Sequence, residues 1–155
     1  MKKIIIPLLI TLLFSCKKDS NSTSSTSASI SSPFTVKYEV LPSAVVTTSF
    51  GFPNIFYVNS TGQPETMSLS NLSVAIPWSK TITITTTTRP LQLNLQAAAS
   101  NAAYYLVLDK AGYITQNLYI NGSLKATSTN QSETTPTASN SKYRINNPAL
   151  TFTVN

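Results

Sequence analysis

Histidine is absent from this sequence, and cysteine occurs once, at position 16. Without an imidazole, none of the many serines has the usual base to activate it as a nucleophile. Zinc needs His or Cys ligands at close spacing, which a lone cysteine does not supply. Carboxylates are scarce too: Asp19, Glu39, Glu65, Asp109 and Glu133 are the only five. They are not clustered, as an all-oxygen calcium site requires. Asp19 and Glu133 sit in polar low-complexity stretches, so a hydrolytic pair would have to come from Glu39, Glu65 and Asp109. Their local contexts carry no sign of pairing. With four glycines, the chain also holds no glycine-rich phosphate loop. Together these absences predict a protein that is not an enzyme and carries no metal and no cofactor.

Charge is sparse as well, at 10 % of 155 residues, with a formal net charge of +6. Setting Lys2 and Lys3 aside from the eleven basic residues leaves nine against five acidic ones. The nine are Lys17, Lys18, Lys37, Lys80, Arg89, Lys110, Lys125, Lys142 and Arg144, and they form no stripe. A nucleic-acid partner would need a clustered basic footprint, so none is expected. The excess suits solubility and a mild attraction to an anionic surface. The length fits one ordinary domain.

What is present begins at the N-terminus, MKKIIIPLLITLLFSC. Lys2 and Lys3 make a basic n-region, Ile4 to Phe14 an apolar h-region, and Ser15 the small residue before a cleavage point, so residues 1–15 read as a signal peptide. The apolar run is shorter than the roughly 20 residues that span a bilayer. A plain secretory signal has no special need for cysteine directly after that point, and a secreted protein with an unmodified cysteine is the alternative. Leu-Phe-Ser-Cys resembles a bacterial lipobox, although Phe14 departs from the usual small or β-branched residue. The resemblance implies cleavage between Ser15 and Cys16, diacylglycerol on the Cys16 thiol and acylation of the new N-terminus. One acyl chain holds a protein marginally and two or more hold it stably, so a lipidated Cys16 makes a membrane the first partner. No cysteine is then left for a disulfide.

Residues 17–33, KKDSNSTSSTSASISSP, cannot bury enough apolar surface to offset their ordering entropy. With Cys16 they read as a flexible tether, 16–33. Lys-Lys-Asp after the cysteine resembles lipoproteins of the Bacteroidota. That implies an envelope location, at the outer membrane, facing either the periplasm or the cell surface.

From residue 34 the pattern becomes period two, as in strands buried on one face. Phe34, Val36, Tyr38 and Val40 alternate with polar residues; so do Leu91, Leu93 and Leu95, and Leu150, Phe152 and Val154. Ala44–Thr48, Asn54–Val58, Thr66–Ser68 and Tyr104–Leu108 read as further short strands, and Leu72, Val74 and Ile76 as a run leading into Pro77-Trp78. KTITITTT, 80–87, is dense in β-branched residues. Tyr113–Ile120 runs into Asn121-Gly122, a strong hairpin signal, with Leu124–Thr127 returning. Residues 128–142 read as a polar loop. The expectation is an all-β sandwich of about seven antiparallel strands over 34–155.

Tyr38-Glu39-Val40, Thr61-Gly62, Ile76-Pro77-Trp78-Ser79, the run Thr81–Thr87, Leu91-Gln92-Leu93 and Leu118-Tyr119-Ile120-Asn121-Gly122 follow one another in an order that resembles the MmpS family. These are small membrane-anchored partners of RND-type lipid exporters. The resemblance covers about Thr35 to Thr127 and implies an immunoglobulin-like β-sandwich, the class the strand pattern reaches separately. MmpS proteins carry a membrane helix and paired cysteines that this chain lacks.

Four aromatic residues are candidates for a binding surface: Trp78, Tyr105, Tyr113 and Tyr119. Trp78 at a strand end is either a ligand platform or a plug in the end of the core. Tyr104 and Tyr105, adjacent on a strand, must face opposite sides. Three functions are therefore expected in turn. The first is a lipid-anchored, non-catalytic binding or accessory module that assists an envelope transporter. The second is a structural or adhesive protein of the cell surface. The third is a hydrolase using Glu39, Glu65 or Asp109.

Overall fold

The structure, a computed structural model, describes residues 26–48, 53–100, 105–135 and 142–155. Residues 1–25, including Ser15 and Cys16, lie outside that description. Thirteen strands run through the described residues: β1 (Thr26–Ala28), β2 (Phe34–Pro42), β3 (Val46–Thr48), β4 (Pro53–Val58), β5 (Pro64–Ser68), β6 (Trp78–Ile84), β7 (Leu91–Ala99), β8 (Leu106–Leu108), β9 (Tyr113–Ile120), β10 (Ser123–Gln131), β11 (Glu133–Thr135), β12 (Lys142–Ile145) and β13 (Ala149–Val154). The protein is all-β, as the period-two pattern predicts.

Two sheets make the sandwich, in the orders β1-β13-β7-β4-β5 and β10-β9-β2-β6. Their inner faces come directly from the alternation. Phe34, Val36, Tyr38 and Val40 of β2, Leu93 and Leu95 of β7, and Phe152 and Val154 of β13 are all buried in one core. β2 and β6 are neighbours in one sheet; β4, β7 and β13 lie side by side in the other. β5 extends that sheet beyond β4, and β1 runs parallel to β13 at its far edge.

The other six strands exceed the seven expected, and most are short. β9 and β10 form a hairpin that adds to β2. β3, β8, β11 and β12 build a third sheet, in the order β11-β12-β8-β3. Each of these four belongs to a connection at one end of the sandwich: β2 to β4, β7 to β9, or β10 to β13. The opposite end holds tight turns. There Asn121 (φ 50°) and Gly122 (φ 79°) both take the left-handed backbone of the predicted turn. Asn121 does more than turn: its Oδ1 accepts the Thr35 amide at 3.0 Å and its own amide donates to the Thr35 carbonyl.

Three expectations are corrected. The tether does not extend to residue 33, because β1 pairs with β13 through Thr26–Phe152 to Ala28–Val154. Arg89 then clasps the segment after β1. One guanidinium nitrogen donates to the Ile30 carbonyl (3.1 Å) and Ser32 Oγ (2.7 Å), the other to the Thr86 and Thr88 carbonyls, over the Phe34 ring. Nor is 128–142 a structureless loop: β10 continues to Gln131 and β11 pairs with β12. Ala97, Ala98 and Ala99, helix formers by propensity, continue β7 and are buried, because pairing with β4 overrides weak local preference. Leu72, Val74 and Ile76 form no strand. Leu72 makes a single bridge to Val46 and is buried, while Ser73 and Ile76 close a tight turn that leaves Val74 and Ile76 in solvent.

Arg89→Ala should cost about 2 kcal/mol of stability, since it removes several charge-assisted hydrogen bonds. Arg89→Lys should not restore it, because an ammonium cannot span the same fork. Denaturant melts and amide exchange at 26–33 check this; unchanged protection there would contradict the clasp.

Candidate functional site

The four aromatic candidates do not gather into one surface. Trp78 is 8 % exposed and belongs to the core. Its ring lies 5.6 Å from that of Tyr57, and its indole N–H points at Met67 Sδ, 3.3 Å away. It plugs the end of the sandwich instead of presenting a platform. Tyr105 precedes β8 under the Arg144 guanidinium, 4.5 Å from the ring centre. Tyr113 and Tyr119 share the outer face of β9, but six residues of strand separate them, about 20 Å.

Around Tyr119 the outer face of the β10-β9-β2-β6 sheet is a polar network. Register puts Lys37 beside Tyr119 and Glu39 beside Asn117. Lys37 pairs with Glu39 and sits 5.5 Å from the centre of the Tyr119 ring. Asn117 Nδ2 donates to Glu39 (3.4 Å), and Thr127 Oγ1 donates to Asn117 Oδ1 (2.8 Å). Partial burial pushes the Glu39 carboxyl up, but hydrogen bonds from Lys37, Tyr119 and Asn117 outweigh it and hold the group below its usual range. The bond to Glu39 in turn raises the Lys37 ammonium and the Tyr119 hydroxyl. Thr115 and Thr129 continue the face, 3.0 Å apart.

A second cluster closes the gap between the two sheet edges β5 and β6. Lys80 occupies an inward-facing position of β6, where an apolar residue is expected. Its ammonium donates to Tyr57 Oη at 2.8 Å and lies 3.6 Å from Glu65, while the Tyr57 hydroxyl donates to Glu65. An inward-pointing charge on an edge strand also disfavours pairing with a stray strand. Burial, then Glu65, raises the Tyr57 hydroxyl; the Tyr57 hydrogen bond lowers Glu65 and raises Lys80. The third carboxylate, Asp109, accepts the Val45 amide at 3.2 Å. Glu39, Glu65 and Asp109 thus serve three separate neighbourhoods, each with its own partners.

The feature that the sequence pattern does not disclose lies at the connection end. Val45, Val74, Ile76 and Tyr113 are 43 to 63 % exposed there, four of the five exposed large hydrophobic residues among those described. Hydrogen bonds hold their backbones together. Val45 and Val46 are bonded to Asp109 and Leu72, and Ser43 exchanges bonds with Tyr113. A side chain at Gly112 would come within 2.3 Å of Ser43 Oγ and would have to push that hydroxyl off the Tyr113 amide it accepts from. Val45, Val74, Ala75 and Lys110 line a shallow groove of about 230 Å³. A similar groove, about 240 Å³, lies over Phe56, Gln96 and Thr151, and one of about 280 Å³ lies among threonines at the hairpin end. All three fall short of the roughly 300 Å³ at which small-molecule pockets begin. Interleaved Ser70, Asn71 and Ser73 are the one signal that the 72–76 run is a turn and not a strand. No protein-family model matches this chain, and no curated protein matches it.

Both Glu39 and Glu65 are held below the ordinary 4.5. As pH falls, the unfolded chain takes up protons first, so their stabilisation is full above about pH 4.5 and drains away below it. Glu65→Gln should therefore flatten the acid limb of a Tm-against-pH curve below about pH 4.5. A limb as steep as that of the unaltered chain would contradict the assignment.

Proposed function

We propose that this protein is a lipid-anchored module of the bacterial cell envelope, non-catalytic, whose sandwich binds or assists another envelope component. The observation that carries the reading is Cys16, the only cysteine, directly after a signal-like apolar run. The fold adds a geometric reason. Ten residues join Cys16 to Thr26 at the start of β1. Fully extended, they reach at most about 35 Å. A lipid on Cys16 keeps the whole domain close to one membrane, within contact of whatever that membrane holds.

Assistance to a transporter, as the MmpS resemblance implies, is the first form of this proposal. The all-β sandwich is compatible with it, and a lipid on Cys16 would hold such a module beside a transporter in the same membrane. The surface-adhesive form finds its support in the outer face around Tyr119, an aromatic ring set in a field of hydroxyls and amides. The engaged state of Glu39, Glu65 and Asp109 supports a non-catalytic role over the hydrolase reading.

Cys16→Ala should release the protein from the membrane fraction of its native host, while the unaltered chain stays with membranes. Proteolysis of intact cells then sorts the two forms: digestion points to a surface protein, protection to a periplasmic accessory. An unaltered chain that fractionates as soluble would contradict the proposal.

A further inference from the structure

The connection end differs from the hairpin end in what it shows to solvent. At the hairpin end stand Ser60-Thr61, Thr85–Thr88 and Asn121-Gly122, with Leu124 the one exposed large aliphatic residue nearby. At the connection end Val45, Val74, Ile76 and Tyr113 are exposed, and Asp109 and Lys110 both stand on the wall of the groove lined by Val45 and Val74. Aliphatic tips, an amphipathic tyrosine and a lysine are the side chains that settle at a lipid–water boundary. An exposed apolar cluster on one end of a soluble sandwich calls for an occupant.

Strand direction says which occupant is within reach. β1 runs parallel to β13, and β13 runs from the connection end to the hairpin end. The N-terminal end of β1 is therefore directed at the connection end. Thr26 lies level with Phe152 and Leu93, six residues of β7 below Ala99, or about 20 Å of strand. The reach of about 35 Å from Thr26 to Cys16 carries the anchor past that end with some ten to fifteen ångströms to spare. Lys17 and Lys18, next to the anchor, match an anionic lipid surface in sign.

We propose that the connection end, through Val45, Val74, Ile76 and Tyr113, rests on the lipid surface to which Cys16 is anchored. The lipid on Cys16 fixes the protein to the membrane, and the apolar cluster fixes its orientation. This inference rests on the lipoprotein reading. With it, the outer face around Tyr119 and the hairpin end are turned away from the bilayer and left free for partners.

The test uses the lipidated protein reconstituted in vesicles of phosphatidylethanolamine and phosphatidylglycerol. Ile76→Cys supplies the only free thiol when Cys16 is lipidated, and takes an environment-sensitive NBD label. Thr87→Cys, exposed at the hairpin end, is the reference. The label at 76 should shift to the blue and be quenched by lipids that carry a shallow spin label, while the label at 87 stays aqueous. Adding Val74→Asp should reverse most of the shift at 76. A label at 76 as aqueous as at 87, on protein that floats with the vesicles, would overturn the proposal. So would shielding that appears only when native envelope proteins are added, which would assign the patch to a protein partner. Labelling of the unaltered chain at Cys16 would show a free thiol; the lipoprotein reading then falls first and takes the lipid contact with it.

Discussion

Tyr38 ties the two sheets together. It stands mid-strand on β2, fully buried, and its hydroxyl crosses the core to the Val58 carbonyl at 3.1 Å on β4 of the opposite sheet. Its ring lies 5.8 Å from that of Tyr57, which in turn meets Trp78. Three aromatic side chains from three strands thus fill the space between the sheets, each adding area burial and a favourable tilted ring contact. Burial raises the Tyr38 hydroxyl well above its ordinary range, so it stays a donor at any physiological pH. With no disulfide in the described fold, this packed layer and the aliphatic rows around it hold the sandwich together.

Around that layer the structure deals with its edges. β5 and β6 are both edge strands, and the gap between them is where Tyr57, Glu65 and Lys80 meet. Lys80 lays its aliphatic stem toward the core and keeps its ammonium between a hydroxyl and a carboxylate. On the far side β1 lengthens the other sheet, and Arg89 holds the return from β1 into β2. Both devices use a long cation to satisfy groups that no ladder reaches. By the proposed reading, the pairing of β1 also shortens the span between the domain and an anchor at Cys16.

The fold was legible in the sequence wherever one rule acted alone. β2, β9 and β13 alternate cleanly, and Asn121-Gly122 tolerates a backbone that few other pairs do. The misreadings occur where long-range pairing overrides local chemistry. Thr26–Ala28 and Ser128–Gln131 are polar and look disordered, yet neighbouring strands offer them ladders. Leu72, Val74 and Ile76 alternate like a strand, yet a four-residue turn points two of them outward. The placement of the four aromatic candidates was legible only in part. Local sequence shows that Tyr113 and Tyr119 share a face of β9, but not that Trp78 lies inside. Nor does it show that Val45 and Val74 line one groove, since that depends on how two distant connections meet at one end.

In the proposed reading, function enters through the anchor: the role of the sandwich follows from where it is held and which face it presents, and a lipid on Cys16, ten residues before β1, would determine both. The most direct measurement is the mass of the N-terminal peptide of the mature protein extracted from its native membranes. The account predicts a peptide that begins at Cys16 and carries the mass of a thioether-linked diacylglycerol with an acylated amine. A peptide beginning elsewhere, or a Cys16 of unmodified mass, would contradict it.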